Sequence, residues 1–533
     1  MKDTAVKVRI LESCFEAIKN DFRQHAPNES LAFLLAKKSE KNGKLLYIVT
    51  KAITLDDEIT RKRYSADVSL EFSKAFYASL KKNRFFEEGY RVITVHSHPF
   101  CKGNVKMSGI DDAGMRYDEE AYLKSFGENI EFLTIVFNAD MTSFDGYVVW
   151  SGKREAIDEV AIVGNGLNKM RLNQDIIGSK PETLSRTLLI PGFDYEKLSN
   201  LKIGVVGTGG LGSCMVIALV LEGFSENSQM VLVEDDKFDA SNLGRIALAS
   251  FEDIGREKVL VAKDFIHWLR PERSVVAVAE KCFSQSAQEE LMDCDLIISC
   301  VDSELARLAI NQFVNNFLIP LMDIGSAVTV DEIMGQKFAA QAGQVRLYVP
   351  GSTPCLLCNM GIDSQWLNNE LGKMFMNEQE KKFLGKTGYL QNLINADLPQ
   401  PSVYSLNSSV VAVAMSVLKK YLLEEKINYD WHHVNFGEAT ILKSKRQSNE
   451  NCPVCGKHSI PGEGRFFDVN ALRVDRTNLP LPSFESNKTL KSDDQDSSSA
   501  DEITGRKVNR KCSLAIVRRL FAKVKKLLNT RIL

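Results

Sequence analysis

The 533-residue sequence contains no apolar run that approaches the roughly 20 residues a helix needs to span a bilayer. Its first stretch, Met1–Asp21, lacks the apolar core of a secretory signal peptide and is typical of a first strand and helix. There are 67 Lys and Arg residues against 69 Asp and Glu residues, and the net charge of −2 excludes a chain that coats nucleic acid along its whole length. These absences predict a soluble protein, and the cytoplasm is the expected location.

A dense disulfide framework is also absent, although the chain has 11 cysteines. Four of them form two close pairs, Cys355/Cys358 and Cys452/Cys455, and the other seven are single. Secreted disulfide scaffolds are smaller and richer in cysteine. Two pairs in a reducing compartment offer four thiolates, which is the ligand set of a structural zinc ion, and a redox pair is the alternative interpretation.

Patterning predicts two folded domains and a polar tail. Residues 1–160 mix helices with short strands rich in β-branched and aromatic residues, and residues 161–181 contain breakers that indicate a linker. Residues 182–460 alternate buried strands with helices, which predicts an α/β, doubly wound parallel sheet with helices on both faces. Residues 461–505 are predicted to be a polar, partly disordered linker. Residues 506–533, which have ten basic and no acidic residues, are predicted to form an amphipathic helix that binds anionic lipid or a partner rather than nucleic acid.

His96 and His98 are two positions apart in the strand-like segment YRVITVHSH. Side chains alternate along a strand, so both imidazoles point to one side and can reach one metal ion. Asp111 can supply a third ligand and leave the fourth position to water, as in catalytic zinc sites, with Asp112 as an alternative. A lone His-x-His more often marks an ordinary strand surface, so the residues that follow it decide the interpretation.

The full pattern, His-Ser-His-Pro followed by Ser108 and Asp111, resembles the motif of the JAMM (JAB1/MPN+) metalloproteases. The resemblance implies a JAMM-type α/β sandwich over residues 1–160, with catalytic zinc on His96, His98 and Asp111. It also implies that Ser108 helps to hold the oxyanion and that Glu29, which begins ESLAFLLAKK, is the general base. The family cleaves isopeptide or peptide bonds next to ubiquitin-like C-termini. The loop between Pro99 and Ser108 departs from the family pattern because it is about two residues longer.

A second motif begins where the strand-like segment LKIGVVG runs into a glycine loop that precedes a predicted helix. The loop contains Gly207, Gly209, Gly210 and Gly212. Backbone N–H groups and the positive end of the helix favour phosphate at this position. The next strand ends at Glu234, where an acidic residue can hold a ribose hydroxyl, so NAD, FAD and ATP are all open at this point.

Further segments resemble, in order, the motifs of ThiF/MoeB-type adenylyltransferases, which are related to ubiquitin-activating enzymes, over about residues 182–456. These segments are SRTLLIPGF, the stretch from Asp236 through SNLGR, IGREK and VDSELAR. The resemblance implies a Rossmann-like domain with a four-cysteine zinc site, in which the glycine loop cradles ATP and Glu234 holds the ribose. It places Asp236, Asn242, Arg245 and Lys258 at the nucleotide and Mg²⁺ on Asp302. It also implies a homodimer in which Arg186 reaches the site of the second protomer.

The family reaction is the attack of a C-terminal carboxylate on the α-phosphate of ATP, and many members then pass the adenylate to a cysteine on a crossover loop. No cysteine lies between Cys358 and Cys452, and the expected stretch reads Gln400–Tyr404. Buried single cysteines are usually inert, so we expect the acyl group to go to another protein's thiol, to sulfide or to an amine.

Three functions remain open. The main hypothesis is a bifunctional enzyme that trims or deconjugates a ubiquitin-like protein ending in Gly-Gly and also adenylates it, with a conjugating enzyme as a further candidate partner. The alternative is the processing and activation of a sulfur carrier for cofactor or amino-acid synthesis. The third is a scaffold with degenerate sites that binds neither zinc nor ATP.

Overall fold

The computed structural model describes residues 5–55, 59–68, 70–82, 85–127, 130–150, 153–172, 181–333, 336–375, 401–425, 427–459 and 461–472. Residues 473–505 of the predicted polar linker and the predicted amphipathic helix 506–533 lie outside these residues. The chain forms one compact unit, Met1–Phe467, and a second unit, Asp468–Leu533, whose described part is a short 3-10 turn at Val469–Leu472.

The N-terminal part of the first unit consists of eleven strands and three helices among the described residues. In chain order they are β1 (Ala5–Leu11), α1 (Glu12–His25), β2 (Leu31–Lys41), β3 (Lys44–Thr54), β4 (Ile59–Lys62), β5 (Ser65–Val68), α2 (Leu70–Lys82), β6 (Tyr90–His98), α3 (Gly109–Phe126), β7 (Phe132–Asn138), β8 (Phe144–Trp150), β9 (Lys153–Ala156), β10 (Glu159–Val163) and β11 (Leu167–Arg171). Nine strands form one mixed sheet in the order β11-β10-β1-β3-β2-β6-β7-β8-β9, and β4 pairs with β5 as a separate hairpin. Strand β1 alternates apolar and basic residues, so Val6, Val8 and Ile10 enter the core while Lys7 and Arg9 face the other way.

Strands β10 and β11 correct the predicted boundary at residue 160. They add to the sheet beside β1, with β10 parallel to β1 and β11 antiparallel to β10, although residues 161–181 were expected to be a linker. The breakers Gly164 and Gly166 form the turn of this hairpin, in which the Gly164 N–H donates to Gly166 O at 3.1 Å. The nine-stranded sheet therefore extends to Arg171.

The rest of the first unit is built on an eight-stranded sheet in the order β14-β13-β12-β15-β16-β17-β18-β19. Its elements are α4 (Tyr195–Ser199), β12 (Ile203–Val206), α5 (Gly210–Leu221), β13 (Gln229–Val233), α6 (Lys258–Leu269), β14 (Ser274–Val278), α7 (Gln285–Leu291), β15 (Leu296–Ser299), α8 (Glu304–Phe317), β16 (Leu321–Ile333), β17 (Gln336–Tyr348), α9 (Ser364–Phe375), α10 (Tyr404–Leu422), β18 (Trp431–Asn435) and β19 (Thr440–Ser444). The first five strands of that order are parallel, and β17 to β19 run antiparallel.

Helices cover both faces of this sheet. One apolar cluster packs α5, α6 and α10 against it, and another packs α7 and α8 against the opposite face. The predicted doubly wound α/β fold is confirmed, and its order of strands reverses between β12 and β15, where such folds bind ligands. No helix among the described residues has the length and apolarity to cross a bilayer.

The two sheets meet through a buried polar interface at the amino ends of the parallel strands. Arg9 is only 3% exposed, and its guanidinium donates to the carbonyl oxygens of Met292, Cys294 and Phe317. The chain enters β15 and β16 directly after these carbonyls. The glycine loop follows the carboxyl end of β12, so the N-terminal part docks on the edge opposite to the predicted nucleotide site.

Residues 461–467, here called the strap, cross this seam. The N–H of Gly462 donates to Asn315 O and that of Gly464 to Asn316 O, both at 2.9 Å. Gln288 exchanges two hydrogen bonds with the backbone of Phe467, at 2.6 and 3.0 Å. The predicted polar linker from residue 461 therefore begins as an ordered segment that belongs to the first unit.

Candidate functional sites

His96 and His98 end β6, and Asp111 lies in the first turn of α3. One ligand atom of each lies within 4.8 Å of the others. Asp111 Oδ2 is 3.2 Å from His98 Nε2, and Asp111 Oδ1 is 3.6 Å from His96 Nε2. Neither ring nitrogen of the buried His96 has a hydrogen bond within the described part of the chain. Two imidazoles and a carboxylate with such unpartnered nitrogens fit a zinc ion; the Asp112 side chain lies outside the described residues.

Glu29 reaches the same group from the residues that precede β2. Its N–H donates to Lys62 O in β4 at 2.8 Å, and its Oε1 lies 3.8 Å from His98 Nε2. Burial raises the pKa of Glu29 to about 7. The charge of His98 lowers this pKa, and the charge of Asp111 raises it further. A carboxyl group with such a pKa can exchange a proton near neutral pH.

Ser108 is the N-cap of α3 and forms a capping box with Asp111. The Asp111 N–H donates to Ser108 Oγ at 3.2 Å, and the Ser108 N–H donates to Asp111 Oδ2 at 2.6 Å. Burial would raise the pKa of Asp111, but the neighbouring His96 and His98 imidazoles and the hydrogen bonds of Ser108 keep it far below its usual range. The structure thus shows Ser108 positioning the carboxylate, and its contact with an oxyanion stays a prediction.

The long loop after Pro99 is held against β8 and the turn before it. The N–H of Val105 donates to Ser143 Oγ at 3.1 Å, and the N–H of Met107 donates to Asp145 Oδ2 at 2.9 Å. The loop is therefore held beside this turn, and Asp111 lies close to both histidines.

The two cysteine pairs converge into one cluster. Cys355 and Cys452 Sγ lie 3.5 Å apart, as do Cys358 and Cys455 Sγ, and all four sulfurs lie within 4.8 Å of one another. Backbone N–H groups donate to two of the sulfurs, from Asn449 to Cys358 at 3.2 Å and from Val454 to Cys452 at 3.4 Å. Four converging thiols with backbone donors fit structural zinc.

The glycine loop is shaped by close backbone approach. Gly207 has a φ of +90°, and a Cβ on it would lie 2.8 Å from Cys300 O. A Cβ on Gly212 would lie only 1.8 Å from Gly207 O, whereas one on Gly209 would have no neighbour within 4 Å. Helix α5 begins at Gly210, so its free N–H groups lie at the carboxyl end of β12, where a phosphate can bind.

Glu234 turns back towards this loop. Its carboxylate accepts from the N–H of Thr208 at 2.9 Å and from that of Asp236 at 3.2 Å. Burial raises the pKa of Glu234, while the hydrogen bond from Thr208 and the charge of Lys258 lower it. Lys258 Nζ lies 2.7 Å from Asp236 Oδ2. The predicted ribose and phosphate ligands therefore lie beside the glycine loop and contact one another.

The other predicted nucleotide residues differ in their accessibility. Asn242 is 2% exposed, and its Oδ1 accepts from the N–H of Asp239 at 3.4 Å in the capping box of a 3-10 turn; its contact with a phosphate stays a prediction. Arg245 bonds to Ser241 O at 2.9 Å, and its Cδ lies 3.5 Å from the Cβ position of Gly210. Asp302, after β15, and Arg186, between two 3-10 turns, are both exposed.

Sequence reasoning missed two polar side chains at this site. Glu370 in α9 accepts from the hydroxyl of Ser303 at 2.7 Å and from the N–H groups of Glu304 and Leu305 at 3.0 and 2.8 Å, at the start of α8 directly after Asp302. Asn407 in α10 lies against Gly210. Both contacts join distant parts of the chain, so no local pattern predicts them.

The single cysteines near the loop are poor nucleophiles. Burial raises the pKa of Cys300 and Cys214, and it raises that of Cys282 to about 12. Protonated thiols are weak nucleophiles, and that none of these three cysteines receives the acyl group stays a prediction.

The ThiF family model matches residues 184–454, just over half of the chain. Adenylyltransferase and sulfurtransferase UBA4 of Meyerozyma guilliermondii is 31% identical over 162 residues, which cover 30% of this chain and 35% of that protein. Protein HesA, vegetative, of Trichormus variabilis is 21% identical over 54% of this chain and 93% of its own length. Ubiquitin-like modifier-activating enzyme 5 of Rattus norvegicus is 26% identical over 35% of this chain and 47% of its own length. The chain thus spans less than half of the length of two of these relatives.

Among solved structures, the crystal structure of E. coli MccB with ATP matches 52% of this chain and 75% of that chain, with a TM-score of 0.40 and 20% identity.

Proposed function

The chain belongs to the ThiF family, and from this membership we propose that it is an ATP-dependent adenylyltransferase acting on the C-terminal carboxylate of a ubiquitin-like or sulfur-carrier protein that ends in Gly-Gly. The observation that carries the proposal is the glycine loop at the switch point of the sheet, which has Glu234, Arg245 and Lys258 beside it. Backbone donors and two cations at a helix N-terminus favour a polyphosphate.

In the proposed reaction, a carboxylate oxygen attacks the α-phosphorus of ATP, the bond from that phosphorus to the α–β bridging oxygen breaks, and pyrophosphate leaves. The N–H groups of the loop, Arg245 and Lys258 neutralise phosphate charge, and Glu234 holds the ribose. Lys258 exchanges Asp236 for a phosphate oxygen in this scheme. Asp302 would hold Mg²⁺, which neutralises further phosphate charge when bound.

Pyrophosphate exchange tests this proposal. Full-length protein, ATP and Mg²⁺ are incubated with labelled pyrophosphate and a candidate partner ending in Gly-Gly. We expect partner-dependent exchange that falls at least about tenfold in Lys258→Ala, which removes a cation at the phosphates, and in Asp302→Ala, which removes the ligand proposed for Mg²⁺. Lys19→Ala, which removes a lysine paired with Glu16 on α1, is the matched control. Absence of exchange with every such partner would contradict the proposal.

The identity of the acyl acceptor distinguishes a ubiquitin-like partner from a sulfur-carrier partner. No cysteine lies between Cys358 and Cys452, so the acyl group passes from the adenylate directly to a conjugating enzyme's thiol, to an amine or to sulfide. Mass spectrometry of the partner decides among them, and a thiocarboxylate would select the sulfur-carrier alternative.

For the N-terminal part, the proposed activity is that of a JAMM-type zinc metalloprotease that trims or deconjugates the same partner. Its support is the convergence of His96, His98 and Asp111 with Glu29 beside them. Zinc on the first three would polarise the scissile carbonyl and acidify a water molecule. Glu29 would accept the proton of the attacking water and return it to the leaving amine.

Two variants separate catalysis from metal binding at this site. We expect Glu29→Gln to abolish cleavage of a partner–peptide fusion while zinc stays bound, and His96→Ala to lose both cleavage and one zinc per chain. Glu16→Gln on α1 is the control. Elemental analysis that finds the same zinc content in wild type and His96→Ala would contradict the proposed site.

A homodimer through the ThiF-family part completes the proposal. A cavity of about 560 Å³ opens between α5, α10 and the segment Ile190–Phe193. Leu189 is 80% exposed and Ile190 54% exposed beside it, and Arg186 lies a few residues before them. A second copy would cover these apolar side chains and receive Arg186. Sedimentation velocity should show a dimer that Leu189→Asp weakens; a monomer at all concentrations would argue against it.

A further inference from the structure

Asn407 is a buried polar side chain beside the glycine loop to which neither the sequence motifs nor the reaction assigns a task. It lies in the first turn of α10 and is 1% exposed. A Cβ built on Gly210 would lie 2.6 Å from Asn407 Nδ2, so the carboxamide fills the space behind the residue that begins α5.

The carboxamide bonds two further parts of the chain. Its Oδ1 accepts from the hydroxyl of Ser326 in β16 at 2.8 Å, and its Nδ2 donates to Ser402 Oγ at 3.3 Å. Ser402 directly precedes Val403, the N-cap of α10, which has no side chain able to cap a helix. Asparagine offers both the acceptor and the donor that this arrangement needs, whereas aspartate or leucine of similar size offers only one or neither.

We infer that Asn407 is a positioning residue for the nucleotide, which acts through the glycine loop. The phosphate-binding N–H groups at the start of α5 work only if the loop holds its direction, and Asn407 fixes Gly210 relative to β16 and to the residues that lead into α10. The inference rests on the proposed binding of ATP at the loop. It adds that nucleotide binding is coupled to the order of residues 401–407, because the Asn407 side chain contacts both Gly210 in the loop and Ser402.

The test compares Asn407→Leu, which keeps the size and removes both hydrogen bonds, with wild-type full-length protein. We expect the Kd for ATP to rise about tenfold by calorimetry, as for the loss of one or two buried hydrogen bonds. In wild type, ATP should slow hydrogen exchange at residues 401–407, and this protection should be absent in the variant. Asn407→Asp should bind ATP more weakly still, because it places a carboxylate beside the phosphate site.

Asn315→Leu is the matched control for the loss of a buried amide. Asn315 accepts from the Tyr348 hydroxyl at 2.7 Å and lies at the seam with the strap, so its replacement should lower the Tm and leave the Kd for ATP unchanged. If Asn407→Leu does not fold, Ser326→Ala and Ser402→Ala each remove one bond of the carboxamide and should raise this Kd a few-fold.

The outcomes separate this inference from the proposed function. A folded Asn407→Leu protein with a lowered Tm and an unchanged Kd for ATP overturns the inference alone, since it would make Asn407 a purely structural residue. Wild-type protein that binds no ATP overturns the proposed function and the inference together.

Discussion

Gly212 and Gly207 lie so close that the loop between them allows no side chain at position 212, where a Cβ would lie 1.8 Å from Gly207 O. We expect Gly212→Ala to weaken ATP binding at least about tenfold, because the loop or the start of α5 must move to relieve the overlap. Calorimetric titration with ATP measures the change. Gly114→Ala in α3, where a Cβ would meet nothing within 4 Å, is the control and should bind as wild type does. Equal ATP affinity in both variants would contradict the assignment of the loop.

At the scale of single residues, the sequence predicts what depends on local geometry. The spacing of His96 and His98 follows from strand periodicity alone, and the structure brings Asp111 to them. Asn407 and Glu370 escaped prediction because their partners lie far away in the chain and become neighbours only through packing. The role of Asn242 at the nucleotide stays a prediction: its motif is recognisable in the sequence, but whether its side chain meets a ligand depends on the folded loop.

For helices and strands too, the sequence predicts what depends on local pattern and misses what depends on distant contacts. The alternation of buried strands and helices after residue 200 predicts the parallel sheet, because each strand is an apolar run between helices. The sequence predicts a linker where β10 and β11 form a hairpin, since Gly164 and Gly166 mark a turn equally well in either case. The hairpin forms because β10 pairs with β1. This pairing joins residues about 150 positions apart, and no local pattern in the sequence indicates it.

The strap is an element whose stability should depend on the cysteine cluster. It begins a few residues after Cys455 and is held by backbone bonds to α8, with Asn316 donating to Arg465 O at 2.9 Å. Bound zinc would fix the start of this segment, so we expect Cys452→Ser, or removal of zinc by a chelator, to let trypsin cut after Arg465 at least several-fold faster.

Limited digestion followed by mass spectrometry measures that cut. Cys14→Ser, which changes a buried thiol in the core of the nine-stranded sheet, is the matched control and should leave cleavage at Arg465 slow. Equal rates in the two variants would show that the strap is held by its backbone contacts alone.

On the scale of the whole molecule, the N-terminal part docks at the amino edge of the parallel strands and the glycine loop lies at the carboxyl edge. Neither site contributes a residue to the other among the residues described above. We therefore expect Glu29→Gln to leave pyrophosphate exchange within about twofold of wild type, and Lys258→Ala to leave peptide cleavage equally unaffected. Measuring both activities in both variants tests this, and a joint loss would reveal coupling through the interface.

The interface itself should make the protein sensitive to acid. Burial would raise the pKa of Glu159 and of Asp293, but Lys169 and Lys7 lower the first to about 2, and Lys7, Lys202 and Lys44 lower the second to about 2. Both pKa values lie below the ordinary 4.5 and 3.8 of the unfolded chain. The charged forms therefore stabilise the folded state fully above about pH 5, and this stabilisation is lost as the pH falls towards 2.

We expect the free energy of unfolding to fall by a few kcal/mol between pH 5 and pH 2 as these carboxylates gain protons, and urea unfolding across that range measures it. Glu159→Gln should reduce both the stability at pH 7 and its dependence on acid, because position 159 then has no carboxylate to protonate and only Asp293 contributes. Glu450→Gln, at an exposed pair with Lys457, should retain the wild-type profile. If Glu159→Gln and wild type lose stability in parallel, the lysines at the seam do not hold Glu159 in its charged form, and the contact between the two sheets must depend on Arg9 and the apolar side chains around it.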